Sequence, residues 1–370
     1  MKVILIKDKL IKAINTVIKM VSNQVTLPIL SNILLTTENG RLKISATDLE
    51  IGIETWIGAQ IVEEGTVTIP AKLFFEYISS ISEEKITIEE DNNKINITGT
   101  SIKSVIRGLP ANDFPLIPKI KKPLAEINID AKDIKNNLSK CLFACATDET
   151  RPVLTGMLLK ITKESYIFAA TDSYRLNEIV IKHAEKNINP MDVIIPKRTL
   201  VELMRIIADS EEKIKIIIGE NQIVFEFNDT YFISRLVEGT FPEYGQIIPK
   251  KFNLTMEMVK SELVKQLRTA SLFSRDNANN IKLSCSKDKK IIIQSTSQQL
   301  GNNRSELNLK SFDGKEIDFS VNALYLLDVL GAIKDENIII KLVDAQSPIL
   351  IQSSNDLNYT AIIMPLRQEG

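Results

Sequence analysis

A motif that recurs at nearly constant spacing constrains the fold of this chain more than any other feature of its sequence. An apolar run leads into Thr47-Asp48 in LKISATDLEI, and 124 residues later a similar run leads into Thr171-Asp172 in YIFAATDSYRL. A weaker third copy, IIIQSTSQQL, places Thr296 at the same point after a further 125 residues. This spacing predicts three copies of one folding unit, each about the size of an ordinary domain.

The hydrophobic pattern predicts the same order of elements in each copy. Apolar residues at helical spacing predict two helices per copy, and alternating apolar and polar residues predict strands and hairpins. The predicted helices cover about 7–22, 71–81, 131–146, 197–208, 256–272 and 321–334. Linkers near Lys121–Leu124 and Lys250–Asn253 divide the chain into domains 1–122, 123–251 and 252–370. The sequence therefore predicts an α+β fold in triplicate, with two helices packed on antiparallel sheets in each domain.

Composition excludes several classes of protein. The chain is 44% hydrophobic and 25% charged, which is typical of soluble globular proteins. No apolar run approaches the roughly 18 to 20 residues that span a bilayer, and the short apolar run before Lys7 is not a secretory signal. Cys141, Cys145 and Cys285 form neither a disulfide framework nor a paired metal motif. We expect a cytoplasmic protein with no membrane partner.

Charge is distributed unevenly along a chain whose net charge is only −1. The six predicted helices hold 15 Lys and Arg against 7 Asp and Glu, so they carry +8 and the rest of the chain carries −9. If the helices share one surface, that surface is basic and suits the phosphate backbone of nucleic acid. No groove-reading motif is present, so such contact would be independent of sequence. The alternative is that each helix simply exposes its lysines to water.

The sequence contains no recognisable catalytic constellation. His183 is the single histidine, and no phosphate-binding loop, nucleophile elbow or zinc-protease motif occurs. Asp48 and Asp172 are repeated carboxylates that an enzyme would use as an acid pair. The other interpretation is that each Thr and Asp side chain bonds backbone amides at the end of a strand. We therefore predict no catalysis, no cofactor and no metal, and keep a three-domain enzyme using Asp48 or Asp172 as an alternative.

Several segments, in order, resemble one known family. They are TLPILSNILL, ATDLEIGIE, TIPAKLFFEYI, LPANDFP, TRPVLTGMLL, AATDSYRL, VIIPKRTL, FPEYGQIIP and IIMPLR, and they closely resemble the bacterial sliding clamp, the beta subunit of DNA polymerase III. The resemblance covers essentially the whole chain. It implies a head-to-tail homodimeric ring of six similar domains around double-stranded DNA, with helices lining the hole. It also implies a processivity factor that an ATP-dependent loader opens and that performs no chemistry itself.

The resemblance further implies a pocket for short peptide motifs. The partners would be the catalytic subunit of the replicative polymerase, the loader, other polymerases and repair proteins. By local match the pocket comprises Leu154, Thr171, Ser173, Tyr174, Arg175, Leu176, Pro242, Ile247, Pro348, Ile362, Met364, Pro365, Leu366 and Arg367. Tyr174 and Gln246 stand where some relatives have histidine and arginine, so we expect an altered peptide preference.

Two further sets of residues follow from the resemblance alone. The implied DNA contacts are Gln24, Arg151, Lys197 and Arg198. The implied ring joint sets Lys103 and Ile106 of the first domain against Leu272 and Phe273 of the third. The nearby stretch SQQLGNNRSEL keeps only Glu306 as an acid, so we expect apolar contact to dominate the joint. A peptide-binding scaffold that does not bind DNA remains a second alternative.

Overall fold

The helices lie close to their predicted positions but are shorter. A computed structural model describes residues 1–21, 27–183, 189–207 and 213–366 of the chain. The α-helices in these ranges are α1 Lys7–Val17, α2 Ala71–Ser80, α3 Ala131–Cys141, α4 Lys197–Ile206, α5 Lys260–Leu272 and α6 Ala323–Ala332. No helix in these ranges is both long and apolar enough to cross a bilayer.

The strands of the same ranges pair antiparallel throughout. In the first half of the chain they are β1 Lys2–Ile6, β2 Asn32–Glu38, β3 Arg41–Thr47, β4 Ile51–Gly58, β5 Gln60–Glu63, β6 Thr66–Pro70, β7 Lys85–Asp91, β8 Lys94–Thr98, β9 Lys103–Arg107, β10 Ala125–Asp130, β11 Gly156–Ile161, β12 Ser165–Thr171 and β13 Arg175–Lys182. In the second half they are β14 Met191–Pro196, β15 Lys213–Ile218, β16 Gln222–Phe227, β17 Thr230–Arg235, β18 Leu254–Val259, β19 Asn280–Ser286, β20 Lys290–Ser297, β21 Gly301–Asn308, β22 Ser311–Gly314, β23 Ile317–Asn322, β24 Asn337–Leu342, β25 Ile349–Ser353 and β26 Tyr359–Ile363.

Helices of the third copy begin later than the hydrophobic pattern predicts. Residues 256–259 belong to β18 and residues 321–322 to β23. In β18 burial alternates, with Leu254, Met256 and Met258 buried and the residues between them half-buried. Three apolar side chains at period two are a strand signature, and the prediction of helix there is wrong. At the other ends, α1 and α3 each pass into a single 3₁₀ turn, at Ile18–Met20 and Leu142–Ala144.

The first compact unit contains residues 1–135 and 198–236. Its two sheets have the strand orders β5-β1-β7-β8-β9 and β10-β15-β16-β17-β4-β3-β2-β6. The larger sheet combines two copies of the repeat, because β17 of the second copy pairs with β4 of the first from Thr230↔Thr55 to Ser234↔Ile51. The strand that follows the first Thr-Asp turn, β4, is thus paired on one side with the last strand of the next copy, β17.

The second compact unit contains residues 136–197 and 237–370, as far as these are described. Its sheets have the orders β14-β11-β12-β13-β26-β25-β24-β18-β22 and β21-β20-β19-β23. Here β26 of the third copy pairs with β13 of the second, from Arg175↔Ile363 to Ile179↔Tyr359. The same joining of neighbouring copies therefore occurs in both units.

Each helix buries an apolar face and keeps most of its charged side chains at least partly exposed, although Glu202 of α4 is buried. In α1 the buried residues are Leu10, Ala13, Ile14 and Val17, at the spacing of one helical face. Burying each of the Leu, Ile and Val side chains stabilises the fold by about 1.5–3 kcal/mol. Within the observed limits the six helices carry thirteen Lys and Arg against six Asp and Glu. The basic character predicted for the helices is thus present in the structure.

Candidate functional site

The second Thr-Asp motif forms a tightly hydrogen-bonded turn between β12 and β13. Thr171 Oγ1 donates to the carbonyl oxygen of Arg175 at 2.7 Å and accepts from the backbone N–H of Ser173 at 3.1 Å. Asp172 Oδ1 accepts from the backbone N–H groups of Tyr174 at 3.0 Å and Arg175 at 2.9 Å. Ser173 has φ 77°, a conformation that non-glycine residues rarely adopt. The two side chains hold it there.

The first copy repeats this turn almost atom for atom. Thr47 Oγ1 donates to the carbonyl oxygen of Ile51 at 2.8 Å and accepts from the N–H of Leu49 at 3.0 Å, with Leu49 at φ 78°. Asp48 Oδ1 accepts from the N–H groups of Glu50 at 3.0 Å and Ile51 at 2.8 Å. The prediction that these Thr and Asp side chains bond backbone amides at a strand end is confirmed.

In the third copy a serine hydroxyl, in place of the aspartate carboxylate, accepts the hydrogen bonds of the turn. Ser297 Oγ accepts from the N–H groups of Gln299 at 3.2 Å and Leu300 at 2.9 Å, two and three residues ahead. This is the pattern that Asp48 and Asp172 make, so Ser297 occupies the aspartate position and Thr296 the threonine position. The repeat spacing read from the sequence therefore corresponds to a structural repeat.

Each aspartate of the turn also has an arginine partner of its own. Asp48 pairs with Arg198 in the first unit, and Asp172 Oδ2 lies 2.9 Å from Arg175 Nε in the second. Both carboxylates are thus held by backbone amides and a guanidinium. Carboxylates whose oxygens are fixed in this way do not suit the acid pair of the enzyme alternative.

Arg175 is the best-connected charged residue beside the turn. Besides Asp172, its Nη1 lies 2.6 Å from Asp328 Oδ2, and its Nη2 donates to the carbonyl oxygen of Phe143 at 2.7 Å. Its guanidinium also lies 4.4 Å from the ring centroid of Tyr325 and 5.3 Å from that of Phe143. A planar fork with three directed contacts is pre-organised. Arg175, with 11% of its side chain exposed, is a fixed wall of the site.

An apolar cluster lies beside this turn and includes three of the predicted pocket residues, Leu154, Leu176 and Ile362. Its other buried members are Leu158, Ala169, Ile194, Phe241, Tyr244 and Leu350. Sequence reasoning missed Phe241 and Tyr244, although they flank the predicted Pro242. Their rings meet edge to face with centroids 6.1 Å apart. The hydroxyl of Tyr244 donates to Glu178 Oε2 at 2.6 Å. Burial is the main cause that raises the pKa of Tyr244, and the charge of Glu178 is the second.

The other predicted pocket residues form an accessible rim. Tyr174 is 61% exposed, Ile247 is 44% exposed and Pro242 is exposed, while Pro348, Met364, Pro365 and Leu366 are half-buried. The chain end is tied to the turn because Met364 donates its N–H to the carbonyl oxygen of Tyr174 at 2.8 Å. Ile247 follows Tyr244 in a turn, and Pro348 immediately precedes β25. Arg367 lies outside the described residues. An apolar floor with an accessible rim and fixed polar groups suits a small apolar ligand or peptide.

The predicted DNA contacts lie in different surroundings. Arg151 is exposed, and its Nη1 donates to Ser173 Oγ at 3.1 Å. Lys197 begins α4, and its backbone N–H donates to the carbonyl oxygen of Thr155 at 3.2 Å. Arg198 is exposed but already partnered by Asp48, which offsets part of its charge. Gln24 lies outside the described residues.

The predicted ring-joint residues differ in exposure. On β9, Lys103 is exposed, but Ile106 is only 6% exposed because it points into its own chain. The neighbouring Val105, which the sequence did not single out, is 55% exposed. Leu272, the last residue of α5, is 49% exposed, and the following Phe273 is half-buried.

The acidic residue near the predicted joint is already paired within its own chain. Glu306 Oε1 lies 2.5 Å from Lys290 Nζ on the neighbouring strand β20. The side-chain hydrogen bond of Glu306 raises the pKa of Lys290. The acid that remains in this stretch therefore already has a partner inside its own chain.

The described residues offer neither a metal site nor a reactive thiol. They contain no cluster of three His, Cys, Asp or Glu side chains able to hold a metal ion. All three cysteines are buried. Burial raises the pKa of Cys145 and of Cys285 to about 12 and raises that of Cys141 further. Thiols held protonated at neutral pH are poor nucleophiles and poor ligands.

Comparison with known proteins identifies the family. Models of the DNA polymerase III beta subunit match the chain with its N-terminal domain at residues 1–118, its central domain at 128–243 and its C-terminal domain at 245–367. The chain belongs to the DNA polymerase III beta subunit family. A family member named beta sliding clamp, from Staphylococcus epidermidis, is 30% identical over 98% of both chains.

Solved structures of the beta subunit family have the same fold. The DNA polymerase sliding clamp from Bacillus subtilis has a TM-score of 0.95 at 29% identity and covers 100% of this chain and 99% of its own. The DNA polymerase III subunit beta from Pseudomonas aeruginosa has a TM-score of 0.95 at 25% identity, with 100% of both chains covered. The three-domain α+β fold expected from the repeat is confirmed.

Proposed function

We propose that this chain is the subunit of a DNA sliding clamp, a processivity factor that encircles duplex DNA and tethers the replicative polymerase. The observation that carries the proposal is the match of three successive beta subunit domains along almost the whole chain. We take residues 1–122, 123–251 and 252–370 as these domains. A protein that acts on a bacterial chromosome works in the cytoplasm.

We propose further that two chains close head to tail into a ring. Two sheets offer an end strand for this purpose, β9 in the five-stranded sheet and β21 in the four-stranded sheet. An end strand presents backbone donors and acceptors to an added strand. The proposed side chains of such a joint are exposed Lys103 and Val105 on β9, Leu272 at the end of α5 and Phe273 directly after it. A head-to-tail contact uses two different patches and closes when each chain spans half the ring.

DNA would be held by topology more than by affinity. The net positive helices supply phosphate contacts independent of sequence. Arg151, Lys197 and Arg198 are proposed members of this set, and so is Gln24. A weakly basic lining allows sliding, because no single phosphate contact has to be broken at high cost. Opening then requires a separate ATP-dependent loader.

The cluster around Leu154, Leu176 and Ile362 is the proposed docking site for partner peptides. Its rim would be completed by Thr171, Ser173, Tyr174, Arg175, Pro242, Ile247, Pro348, Met364, Pro365, Leu366 and Arg367. The proposed partners are the polymerase catalytic subunit, the loader, other polymerases and repair proteins that carry short clamp-binding peptides. Tyr174 and Gln246 are exposed, and we propose that they tune which peptides bind.

The deciding experiment compares retention on circular and linear DNA. The protein is loaded onto a nicked circular plasmid by its cognate ATP-dependent loader and then separated from free protein by gel filtration. Half of the loaded plasmid is linearised with a restriction enzyme before the column. Retention on the circle with loss from the linear form supports the clamp. Equal retention on both forms excludes topological binding.

The two alternatives make different predictions. A peptide-binding scaffold without DNA predicts that Lys197→Ala with Arg198→Ala changes nothing in the loading assay, whereas the clamp predicts impaired loading. An enzyme predicts that Asp48→Asn or Asp172→Asn abolishes a turnover while the chain stays folded. Under the clamp proposal both substitutions affect stability alone, because each carboxylate holds a turn.

A further inference from the structure

The first unit contains a counterpart of the floor beneath the proposed peptide site. In the second unit Leu176 of β13 pairs with Ile362 of β26. In the first unit Gly52 of β4 pairs with Ile233 of β17. Gly52 lies 124 residues before Leu176, which is the spacing of the repeat, so the two pairs occupy equivalent positions. The first unit therefore has the framework of a second site of the same kind.

A Phe-Pro segment follows the strands of each of the first two copies. In the first copy it is residues 114–120, FPLIPKI, here called the strap, and in the second it is residues 241–247, FPEYGQI. Aligning the two segments places Ile120 opposite Ile247. Ile120 is half-buried, whereas Ile247 is 44% exposed. The strap is therefore packed more fully at this position than its counterpart.

Two isoleucines of the strap cover the floor of the first unit, each seated against a glycine. Ile117 and Ile120 pack against the cluster of buried side chains that contains Ile233. A methyl group added at Gly52 would lie 3.0 Å from Ile117 Cγ2, and one added at Gly219 would lie 3.2 Å from Ile120 Cδ1. Carbon atoms in ordinary contact are about 3.5–4.0 Å apart. The isoleucines therefore fill the space that a side chain at either glycine would take.

Lys119 holds the strap in this position. Its ammonium group pairs with Glu54, whose side chain is only 7% exposed. The same Nζ lies 3.3 Å from the ring centroid of Tyr231 and 5.4 Å from that of Trp56. Tyr231 also donates its hydroxyl to the carbonyl oxygen of Pro118 at 3.1 Å. A buried carboxylate and two aromatic rings thus fix the cation, and a hydrogen bond fixes the backbone beside it.

The second copy keeps the glutamate of this arrangement but not the lysine or the glycine. Its glutamate, Glu178, accepts a hydrogen bond from the hydroxyl of Tyr244 at 2.6 Å. Gln246 stands in the place of the strap lysine and is exposed, and Leu176 stands in the place of the glycine. The second segment therefore lacks the two features that hold the strap against its floor. This difference accounts for the accessible rim of the second unit.

We propose that the first unit contains a second, masked peptide site, and that the strap is its built-in occupant. The site accepts an extended peptide with two branched apolar side chains three residues apart and a lysine directly before the second. This is the pattern with which residues 117–120 fill it. A partner peptide of this kind has to displace the strap. The inference goes beyond the proposed function and depends on contacts within the first unit alone.

Masking follows from the covalent attachment of the strap. A tethered segment acts at an effective concentration of about 1 mM. A free peptide with an intrinsic Kd of about 0.1 mM therefore binds the masked site about tenfold more weakly than the unmasked site. A partner that is itself tethered to the protein, at a comparable local concentration, competes with the strap on equal terms. The site is thus reserved for partners that are already attached.

The first test titrates the full-length protein with a synthetic peptide of residues 113–122, DFPLIPKIKK, and follows tryptophan emission. Trp56 is the single tryptophan of the chain and the peptide has none, so the signal reports on the first unit. Ile117→Ala with Ile120→Ala should bind the peptide at least about tenfold more tightly than the wild type does. Leu116→Ala is the matched control, because Leu116 belongs to the strap but is 96% exposed, and it should bind as the wild type does.

Three results of this titration would overturn the inference. The first is a folded double variant, verified by circular dichroism, whose tryptophan emission does not respond to the peptide. The second is equal affinity in the wild type, the double variant and Leu116→Ala. The third is equally tight binding of a peptide that carries Ile117→Ser and Ile120→Ser, because such binding would not depend on the apolar pattern.

The second test asks whether Lys119 holds the strap, and it removes no apolar contact. Lys119→Ala should bind the same peptide at least about threefold more tightly than the wild type does, because the strap loses its cation. Glu54 keeps an ionic partner in this variant, since Lys43 Nζ lies 3.6 Å from its Oε1. Lys119→Arg keeps the positive charge and should restore the wild-type affinity. Wild-type affinity in Lys119→Ala would overturn the masking, and this variant decides the question if the isoleucine variants do not fold.

These outcomes are independent of the clamp proposal. Retention on circular plasmid does not depend on the emission of Trp56, so a failed titration leaves the clamp standing. Equal retention on circular and linear DNA overturns the clamp and leaves the masked site standing.

Discussion

Met364 donates its backbone N–H to the carbonyl oxygen of Tyr174 across 2.8 Å. This single bond fastens the last described segment of the chain to the turn that follows Thr171 and Asp172. It fixes the backbone of Tyr174 while 61% of the residue remains exposed. A side chain that is accessible on a fixed backbone suits recognition, because a partner that binds it orders only one side chain.

Tyr174→Ala should weaken binding of the polymerase catalytic subunit without affecting folding. Loss of a large exposed aromatic side chain at the rim of an apolar pocket costs about 1.5–3 kcal/mol of binding, or roughly ten- to a hundredfold in Kd. Surface plasmon resonance with immobilised wild-type and variant protein measures the change. Glu50→Ala, at the equivalent position of the first turn and with 62% of its side chain exposed, is the control. An equal loss in both variants would contradict a pocket built beside the turn of the second copy.

Asp172→Ala should destabilise the second unit more than Asp172→Asn does. Alanine removes the acceptor of two backbone N–H groups and the Arg175 partner, whereas asparagine keeps an acceptor for the backbone. We expect losses of about 2–4 kcal/mol and about 1–2 kcal/mol in the free energy of unfolding. Urea denaturation followed by circular dichroism checks the order. The idea fails if the two variants unfold at the same urea concentration.

Val105→Asp should dissociate the proposed ring into single chains. An aspartate on the end strand β9 would place an unpaired charge in an apolar contact, which is costly. Analytical ultracentrifugation should then report a mass near 41.6 kDa, in place of about twice that value for the wild type. Val62→Asp is a close control, because Val62 lies on β5 at the opposite end of the same sheet and is 54% exposed against 55% for Val105. Dissociation of the Val62 variant as well would place the joint elsewhere.

The stability of the first unit should fall at alkaline pH partly because of Tyr231. Burial raises the pKa of Tyr231 to about 12, above the value of about 10 for a free tyrosine. The folded state therefore favours the protonated phenol, and this contribution is complete below pH 10 and lost as the pH rises from about 10 to 12. Tyr231→Phe should flatten the decline of unfolding free energy between these values by up to about 1.4 kcal/mol per pH unit. A decline in Tyr231→Phe as steep as in the wild type would contradict this contribution of Tyr231.

Local regularities in the sequence were enough to predict the elements and their repetition. Helical spacing located all six helices, and the Thr-Asp spacing identified copies whose turns have matching hydrogen bonds. It was harder to predict which side chains of a strand face solvent. The joint prediction named Ile106, yet in an alternating strand the register decides which neighbour is exposed, and here it is Val105. The sequence contains no sign of that choice without the pairing partner.

Long-range contacts were out of reach of sequence patterns. Arg175 and Asp328 are 153 residues apart, and no periodicity connects a turn with a helix at that distance. Phe241, Tyr244 and Leu350 were missed for a related reason, because each looks like an ordinary apolar residue until the fold brings it into the cluster that contains Leu176. Ser297 could have been found, because serine is an alternative to aspartate as a turn acceptor.

The pairing of β13 with β26 determines when the proposed peptide site can form during synthesis. Residues 175–179 of β13 gain their partner on one side only when residues 359–363 of β26 are present. A ribosome has therefore translated past residue 363 before the cluster beside Tyr174 can close. Nascent chains that have not reached this strand would lack one side of the proposed peptide site.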